Sequence, residues 1–244
     1  MIENKEWFKD WFASDYYQSV YKHRDNNDAK KFINFIFNNI NFTNECYILD
    51  AACGAGRHLK YLDTLGYKNV FGFDLSLPLL KAAKSKDVNK IINADIRNVF
   101  FKEKFDIILN IFTSFGYFDS DFDNFLFFQN AKLFLKQKGI IIFDYFNSNY
   151  LVKNLVVENN REIDDITINE KRNIINGRVE KEINIKSKNN TVSFIESVKL
   201  YKPDYLIDKF TEIGYKINSA YGNYTGELFN SEYSERIILF LNNE

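Results

Sequence analysis

The sequence predicts an α/β fold: a doubly wound, seven-stranded, mostly parallel sheet with an N-terminal helical segment and a small antiparallel β insert. Three observations predict it. Between residues 46 and 144, short apolar runs alternate with helix-period segments, the rhythm of a parallel sheet covered on both faces. The run Ile48-Leu49-Asp50 stops on an acid and turns through Ala51-Ala52-Cys53-Gly54-Ala55-Gly56 into a helix. Beyond about residue 160 the pattern becomes polar–apolar alternation, punctuated by Asn176-Gly177 and Asn189-Asn190, as in antiparallel hairpins.

Each element follows in order. Residues 5 to 40 are helical in pattern, with Trp7, Phe8, Trp11 and Phe12, then Phe32, Phe35 and Ile36, at three- and four-residue spacing. Between them lies an aromatic-to-basic junction, Tyr16 to Asp25. Strands are expected at Cys46–Asp50, Val70–Asp74, Ile91–Ala94, Phe105–Ile111 and Ile140–Asp144. Helices are expected at Arg57–Leu65, Pro78–Ser85 and Asp121–Phe134. A three-stranded meander is predicted over Glu162–Ile175, Arg178–Ser187 and Thr191–Leu200. Pro203–Ile213 returns to helix and stops at Gly214. Tyr215–Tyr221 and Arg236–Asn242 close the sheet as an antiparallel pair. The organisation is read as one domain over 1–244, with a helical cap at 1–42 and the insert at 160–201 as a lid or dimer surface.

Bulk properties narrow the function. The 244 residues are 45% hydrophobic with 25 Phe and 15 Tyr, enough for a sizeable core. A net charge of −1 and a pI near 6.2 provide no global attraction to nucleic acid or an anionic membrane. Cys46 and Cys53 are too few for a disulfide framework, which points to a reducing, cytoplasmic location. No continuous apolar segment near the start reads as a signal peptide, and none is long enough to span a membrane. A monomer or homodimer is expected.

The loop after Asp50 is a place for a nucleotide-like ligand: Gly54 and Gly56 permit positive φ, and the next helix aims free N–H groups over it. A dinucleotide fingerprint needs a third glycine under a pyrophosphate, and Leu59 stands there. Asp50 would repel a pyrophosphate but would accept hydrogen bonds from an ammonium group. S-adenosylmethionine carries that ammonium, a sulfonium and no phosphate, and is the expected cofactor.

On these residues the chain resembles the class I S-adenosylmethionine-dependent methyltransferases. Their first motif, D/E-x-G-x-G-x-G, is matched by Asp50, Ala52, Gly54 and Gly56, with Ala52 in place of the first glycine. The resemblance implies that Asp74, 18 positions after Gly56 (74−56), accepts both ribose hydroxyls, with Leu75 beside it. It implies that Asp95 and the Ile96 N–H meet the adenine and that Asn110 ends the fourth strand near the methyl group. Lys138-Gly139-Ile140 resembles the turn into the fifth strand. A closer likeness is to a bacterial subgroup of small-molecule methyltransferases with mostly unassigned acceptors. It rests on Gly56-Arg57-His58, the run Ile111 to Phe118, the Tyr17…Tyr21…Arg24 junction and Tyr221-Gly222…Ser234-Glu235-Arg236. It adds Tyr17, Tyr21 and Arg24 to the cofactor set, Arg24 as a partner for the methionine carboxylate.

Bland alternatives stand beside these roles. Asp50 and Asp74 could be helix caps, Asp95 a solvated turn, Arg24 and Arg57 surface charges, and the Tyr17/Tyr21 face plain packing. Phe115, Tyr117, Phe118, Phe146, Tyr221 and Tyr224 are candidate acceptor walls, though each taken alone is more at home in a core. Should the acceptor need a base, His58, Tyr117 or Asp144 are the nearby candidates.

The absence of an Asn/Asp-Pro-Pro-Tyr run after Asn110 argues against amino-directed adenine or glutamine methylation. With only His23 and His58, and no Cys/His cluster, no metal is expected. The expected activity is methylation of N or O on a small molecule by direct in-line displacement. A tRNA or peptide methyltransferase, an NAD(P)-dependent oxidoreductase and a non-catalytic cofactor-binding partner subunit are the alternatives.

Overall fold

The computed structural model describes residues 6–22, 26–188 and 190–243. Three helices open the chain: α1 (Trp7–Ala13), α2 (Asp15–Val20) and α3 (Asn26–Asn39). The central alternation follows as β1 (Tyr47–Ala51), α4 (Arg57–Thr64), β2 (Asn69–Asp74), α5 (Leu77–Lys84), β3 (Ile91–Asn93), β4 (Phe105–Asn110), α6 (Asp121–Phe134) and β5 (Leu135–Phe146). After α7 (Ser148–Lys153) come β6 (Glu158–Ile163), β7 (Ile166–Ile175), β8 (Arg178–Lys186) and β9 (Thr191–Lys199). The chain returns through α8 (Pro203–Ile213), β10 (Tyr215–Tyr221) and β11 (Arg236–Asn243).

The large sheet has seven strands in the order β10-β11-β5-β4-β1-β2-β3. Only β11 runs against the others, antiparallel to both β5 and β10. Because successive strand residues face opposite sides, each central strand feeds two cores. Leu49, Ile108, Ile141 and Phe143 face the aromatic layer of α6 and α8, with Phe125, Phe128 and Phe210. Ile48, Ile107, Ile142 and Phe240 face α3, α4 and α5, with Phe32, Ile33 and Leu62. This two-sided burial is why the strands read as unbroken apolar runs.

Local chemistry sets the boundaries. Ser76 and Ser120 cap α5 and α6 by accepting from Leu79 N and Asp123 N, each at 3.4 Å. Gly214 ends α8 in the left-handed region at φ 93°.

The insert differs from the expected meander. It is a separate four-stranded antiparallel sheet, β6-β7-β8-β9. The predicted strand from Glu162 to Ile175 folds back at Asp164-Asp165, where Asp164 takes φ 53° and Ile163 pairs with Ile166. Aspartate tolerates that conformation without a glycine. The inner face of this sheet shares a third core with the N-terminal helices: Ile168, Ile183 and Ile185 with Trp7, Phe8, Trp11 and Val20. Among the described residues no helix is long and apolar enough to cross a membrane.

The cap is tied to the insert through Glu196. Its Oε1 accepts from Trp11 Nε1 at 2.6 Å and Tyr21 Oη at 2.5 Å, and its Oε2 lies 2.5 Å from Lys181 Nζ. Burial pushes this carboxyl up, but the Lys181 ammonium and the two donors outweigh it and hold it below the usual range. A lowered folded value means the stabilisation is complete above the unfolded pKa, about 4.3, and is lost as pH falls through the folded value. Trp11 fluorescence should therefore red-shift on acid titration below that point. Glu196→Gln should flatten this transition, and an identical titration in the variant would refute the assignment.

Candidate active site

At the carboxyl ends of β1 to β4 lies a cavity of about 1360 Å³, roofed by the N-terminal helices and the insert. Its floor is the loop from Asp50 to Gly56. Gly56 starts α4 at φ 70°, and a Cβ there would lie 3.1 Å from Ala83 and 3.2 Å from Val88. Gly72, under the loop, has no such room: a Cβ would come within 2.7 Å of Leu59 and 2.8 Å of the Cys53 sulfur. The loop therefore sits flush on β2.

Ala52 adopts φ 63°, a conformation that costs a residue with a Cβ about 1–2 kcal/mol. Ala52→Gly should remove that strain, offset by about 0.4–1 kcal/mol from a freer unfolded chain. A net gain of about 1 kcal/mol is expected in chemical denaturation, and a lower midpoint would contradict the strain.

Three acids lie at or just past the carboxyl ends of the adjacent strands β1, β2 and β3. Asp50 is 1% exposed, and its Oδ2 has no hydrogen-bond partner among the described residues. His58 Nδ1 lies 3.6 Å from it, beyond hydrogen-bond distance. Such an orphaned buried carboxylate oxygen fits a cationic ligand group. Asp74 binds the loop: Oδ2 accepts from Gly54 N and Oδ1 from Ser76 N, both at 2.8 Å. Burial pushes its carboxyl above the ordinary range despite those two bonds. Asp95 is clasped by Arg97, whose N and Nε donate to Oδ1 at 2.9 and 3.0 Å and whose Nη2 donates to Oδ2 at 2.6 Å. Burial raises the Asp95 carboxyl, but the guanidinium and the backbone N–H hold it below its usual value. Cys53 also lines the cavity, but burial, with Asp50 and Asp74 nearby, pushes its thiol far up. It is a neutral packing group.

Most residues singled out in the sequence meet in this cavity. Asp50, Ala52, Gly54, His58, Asp74, Leu75, Asp95, Ile96, Tyr17, Tyr21, Phe115, Tyr117, Phe118, Phe146 and Tyr224 all line it. Phe115 does so from within the core, packed on Phe143 at 5.1 Å. The Tyr117 ring sits among Trp7, Phe8 and Phe12 at 5.1, 6.2 and 5.8 Å.

Others fall elsewhere. Gly56 is buried beneath the loop, and Asn110 is buried with its Nδ2 donating to Ser114 O at 3.3 Å. Tyr221 does not wall the cavity: its ring lies on Phe35 and Phe240, and its hydroxyl donates to Asn39 Oδ1 at 2.9 Å. Asp144 is not a free base. It is fully buried, with Oδ1 accepting from Arg236 Nε at 2.5 Å and Oδ2 from Phe112 N and Tyr224 Oη at 2.8 and 3.0 Å. Arg24 lies outside the described residues.

The sequence reading missed the roof and the side wall. Arg172, Lys181, Glu196, Val179 and Val198 line the cavity from the insert, and Tyr150, Leu151, Asn154, Leu155 and Val156 line it from α7 and the segment after it. A faint signal existed, since Arg172, Lys181 and Glu196 are charges on the face that otherwise carries Ile168, Ile183 and Phe194.

Known proteins share this fold. The family described as "Methyltransferase domain" matches residues 48–139. An uncharacterized protein of Methanocaldococcus jannaschii is 28% identical over 121 residues, covering 48% of this chain and 45% of that protein. The chain thus matches about half the length of that relative. Among solved structures, an S-adenosylmethionine-dependent methyltransferase from Clostridium acetobutylicum superposes with a TM-score of 0.79 at 21% identity, covering 93% of this chain and 95% of that one. The sugar N-methyltransferase KedS8 from Streptoalloteichus superposes at 0.72 with 16% identity and 93% of each chain. The methyltransferase-domain family thus matches residues 48–139, and the chain as a whole shares the fold of these solved structures.

Proposed function

We infer that this chain is an S-adenosylmethionine-dependent methyltransferase that methylates a nitrogen or oxygen of a small molecule in the cytoplasm. One observation carries the reading: Asp50 and Asp74 at the ends of β1 and β2 and Asp95 two residues past the adjacent β3 line a single cavity. Asp50, with its orphaned Oδ2, would hold the ammonium group, Asp74 the ribose hydroxyls, and Asp95 with the Ile96 N–H the adenine. Ligand pockets run to about 300–1,000 Å³, so the cavity has room for this cofactor and a second molecule. That a sugar N-methyltransferase shares the fold supports a small acceptor.

When bound, S-adenosylmethionine supplies an electrophilic methyl group on a sulfonium that is already a good leaving group. The protein's own work is then alignment and the exclusion of water. Phe112 and Thr113, at φ 56° and 63°, hold the loop after β4 in a fixed left-handed turn. Trp7, Phe8, Tyr117 and Phe118 close the cavity with aromatic surface. The insert, which supplies the roof, serves as the lid.

S-adenosylhomocysteine should raise the melting temperature while NAD(P) does not. Labelled methyl from S-adenosylmethionine should appear in the small-molecule fraction of a cell extract. Stabilisation by NAD(P) alone would end the methyltransferase reading, and label confined to macromolecules would end the small-molecule one.

A further inference from the structure

Resting on the methyl-transfer reading, a second inference concerns the molecule that shares the cavity with the cofactor. Charge is divided within it. The acids Asp50, Asp74 and Asp95 form the floor, while the roof carries a cross-strand row of Arg172, Lys181 and Glu196, each directly opposite the next on β7, β8 and β9. Behind this row Glu170 is held by Arg161 at 3.0 Å, Arg172 at 2.7 Å and Lys181 at 3.9 Å. Three cations thus face two carboxylates, Glu170 and Glu196, leaving one positive charge in excess.

Arg172 is where that excess reaches the cavity. Its guanidinium has five N–H donors. Nη2 donates to Glu170 Oε2 at 2.7 Å and Nη1 to Val156 O at 3.4 Å. Three donors have no partner among the described residues, on a side chain that lines the cavity and is 23% exposed. Planar, fixed donors of this kind suit a two-oxygen anion. The other cations at the cavity have different settings: Arg236 binds Asp144, Lys22 lies 3.2 Å from the exposed Asp164, Arg57 lies over the Phe112 ring beside the glycine loop, and Lys86 is exposed just beyond α5. Val179 and Val198, which pair across β8 and β9 beside the charged row, leave the acceptor an apolar flank.

We propose that the methyl acceptor is an anionic small molecule whose carboxylate or phosphate docks on Arg172 in the roof, opposite the acid floor.

Small molecules from a cell extract, freed of macromolecules by ultrafiltration, would be split on an anion exchanger. Each pool would then be incubated with the protein and methyl-labelled S-adenosylmethionine. Label should enter the anion-retained pool. Arg172→Ala should lower incorporation about tenfold or more, the range a lost charge-assisted hydrogen bond covers, while leaving S-adenosylhomocysteine affinity within twofold. Arg172→Lys, which keeps the charge beside Glu170 and so the local fold, should retain more activity than the alanine variant. Removal of the labelled species by phosphatase, alone or after phosphodiesterase, marks a phosphate, and resistance to both enzymes marks a carboxylate. Label in the unretained pool, or an anionic pool labelled equally by Arg172→Ala, would overturn the proposal and leave methyl transfer standing. No label in any pool, together with no S-adenosylhomocysteine binding, would bring down the underlying reading as well.

Discussion

Asp144→Ala should lower the unfolding free energy by about 3–5 kcal/mol, the cost of leaving one partner of a buried ion pair uncompensated. The carboxylate is 0% exposed, and the Arg236 side chain that donates to it is 22% exposed. Removing it strands that guanidinium beside Tyr224 and leaves the part-buried N–H of Phe112 without its acceptor. The loop it holds is strained, because Phe112 and Thr113 are consecutive non-glycine residues at positive φ. Each costs about 1–2 kcal/mol there, so the turn persists only while its surroundings impose it. Those surroundings are the Asp144 carboxylate on Phe112 N, the Asp144 carbonyl on Thr113 N at 3.1 Å, and Arg236 Nη2 on Thr113 Oγ1 at 3.0 Å. Replacing both partners, as Asp144→Leu with Arg236→Met, should cost well under the sum of the single changes, since no buried charge is then left alone. Chemical denaturation of the single and double variants would measure this coupling. A loss below about 1 kcal/mol for Asp144→Ala would show that the pair is not what restrains the turn.

That pairing also shows where sequence reading stops. The central strands were legible because both faces are buried and each writes an apolar run. Asp50, Asp74 and Asp95 were legible because an acid ending such a run points to a ligand edge. Asp144 looked like another strand-end acid and hence a base, but its partner Arg236 lies 92 positions on and meets it only through the antiparallel β5–β11 pairing. Tyr221 ends a strand as well, yet alternation alone did not say on which side its ring would fall, and it fell on Phe35. The strand Glu158–Ile163 was missed at its start because no residue in it is fully buried, so no apolar periodicity marks it. The roof charges were missed for a third reason. Arg172, Lys181 and Glu196 become neighbours only through the register of two successive hairpins, and a slip of one residue would turn any of them outward.

Asp74→Ala should weaken S-adenosylhomocysteine binding about 10- to 150-fold, equivalent to about 1.5–3 kcal/mol for lost hydrogen bonds to a charged group. The carboxylate is 8% exposed at the end of β2 and lines the cavity between Asp50 and Asp95. It acts in two ways at once. Its oxygens take the N–H groups of Gly54 and Ser76, which fixes the glycine loop to the start of α5. Each oxygen keeps a further lone pair for a hydroxyl in the cavity. The alanine variant loses both functions, so its melting temperature should fall together with its affinity. Asp74→Asn separates them in part: the amide oxygen can still accept one loop N–H, while its NH2 faces the other and cannot accept from it. Its loop should be less disturbed than in the alanine variant, yet its affinity should remain well below that of the parent, because the charge that strengthens hydroxyl binding is gone. Isothermal titration with S-adenosylhomocysteine, paired with melting curves, distinguishes the two contributions. Affinity within twofold of the parent in either variant would remove Asp74 from the cofactor site and leave it as a loop anchor alone. Burial already pushes this carboxyl above its ordinary range. In the parent protein, cofactor affinity should therefore begin to fall at a higher pH than an exposed aspartate would allow, and this acid-side loss should be absent from Asp74→Asn.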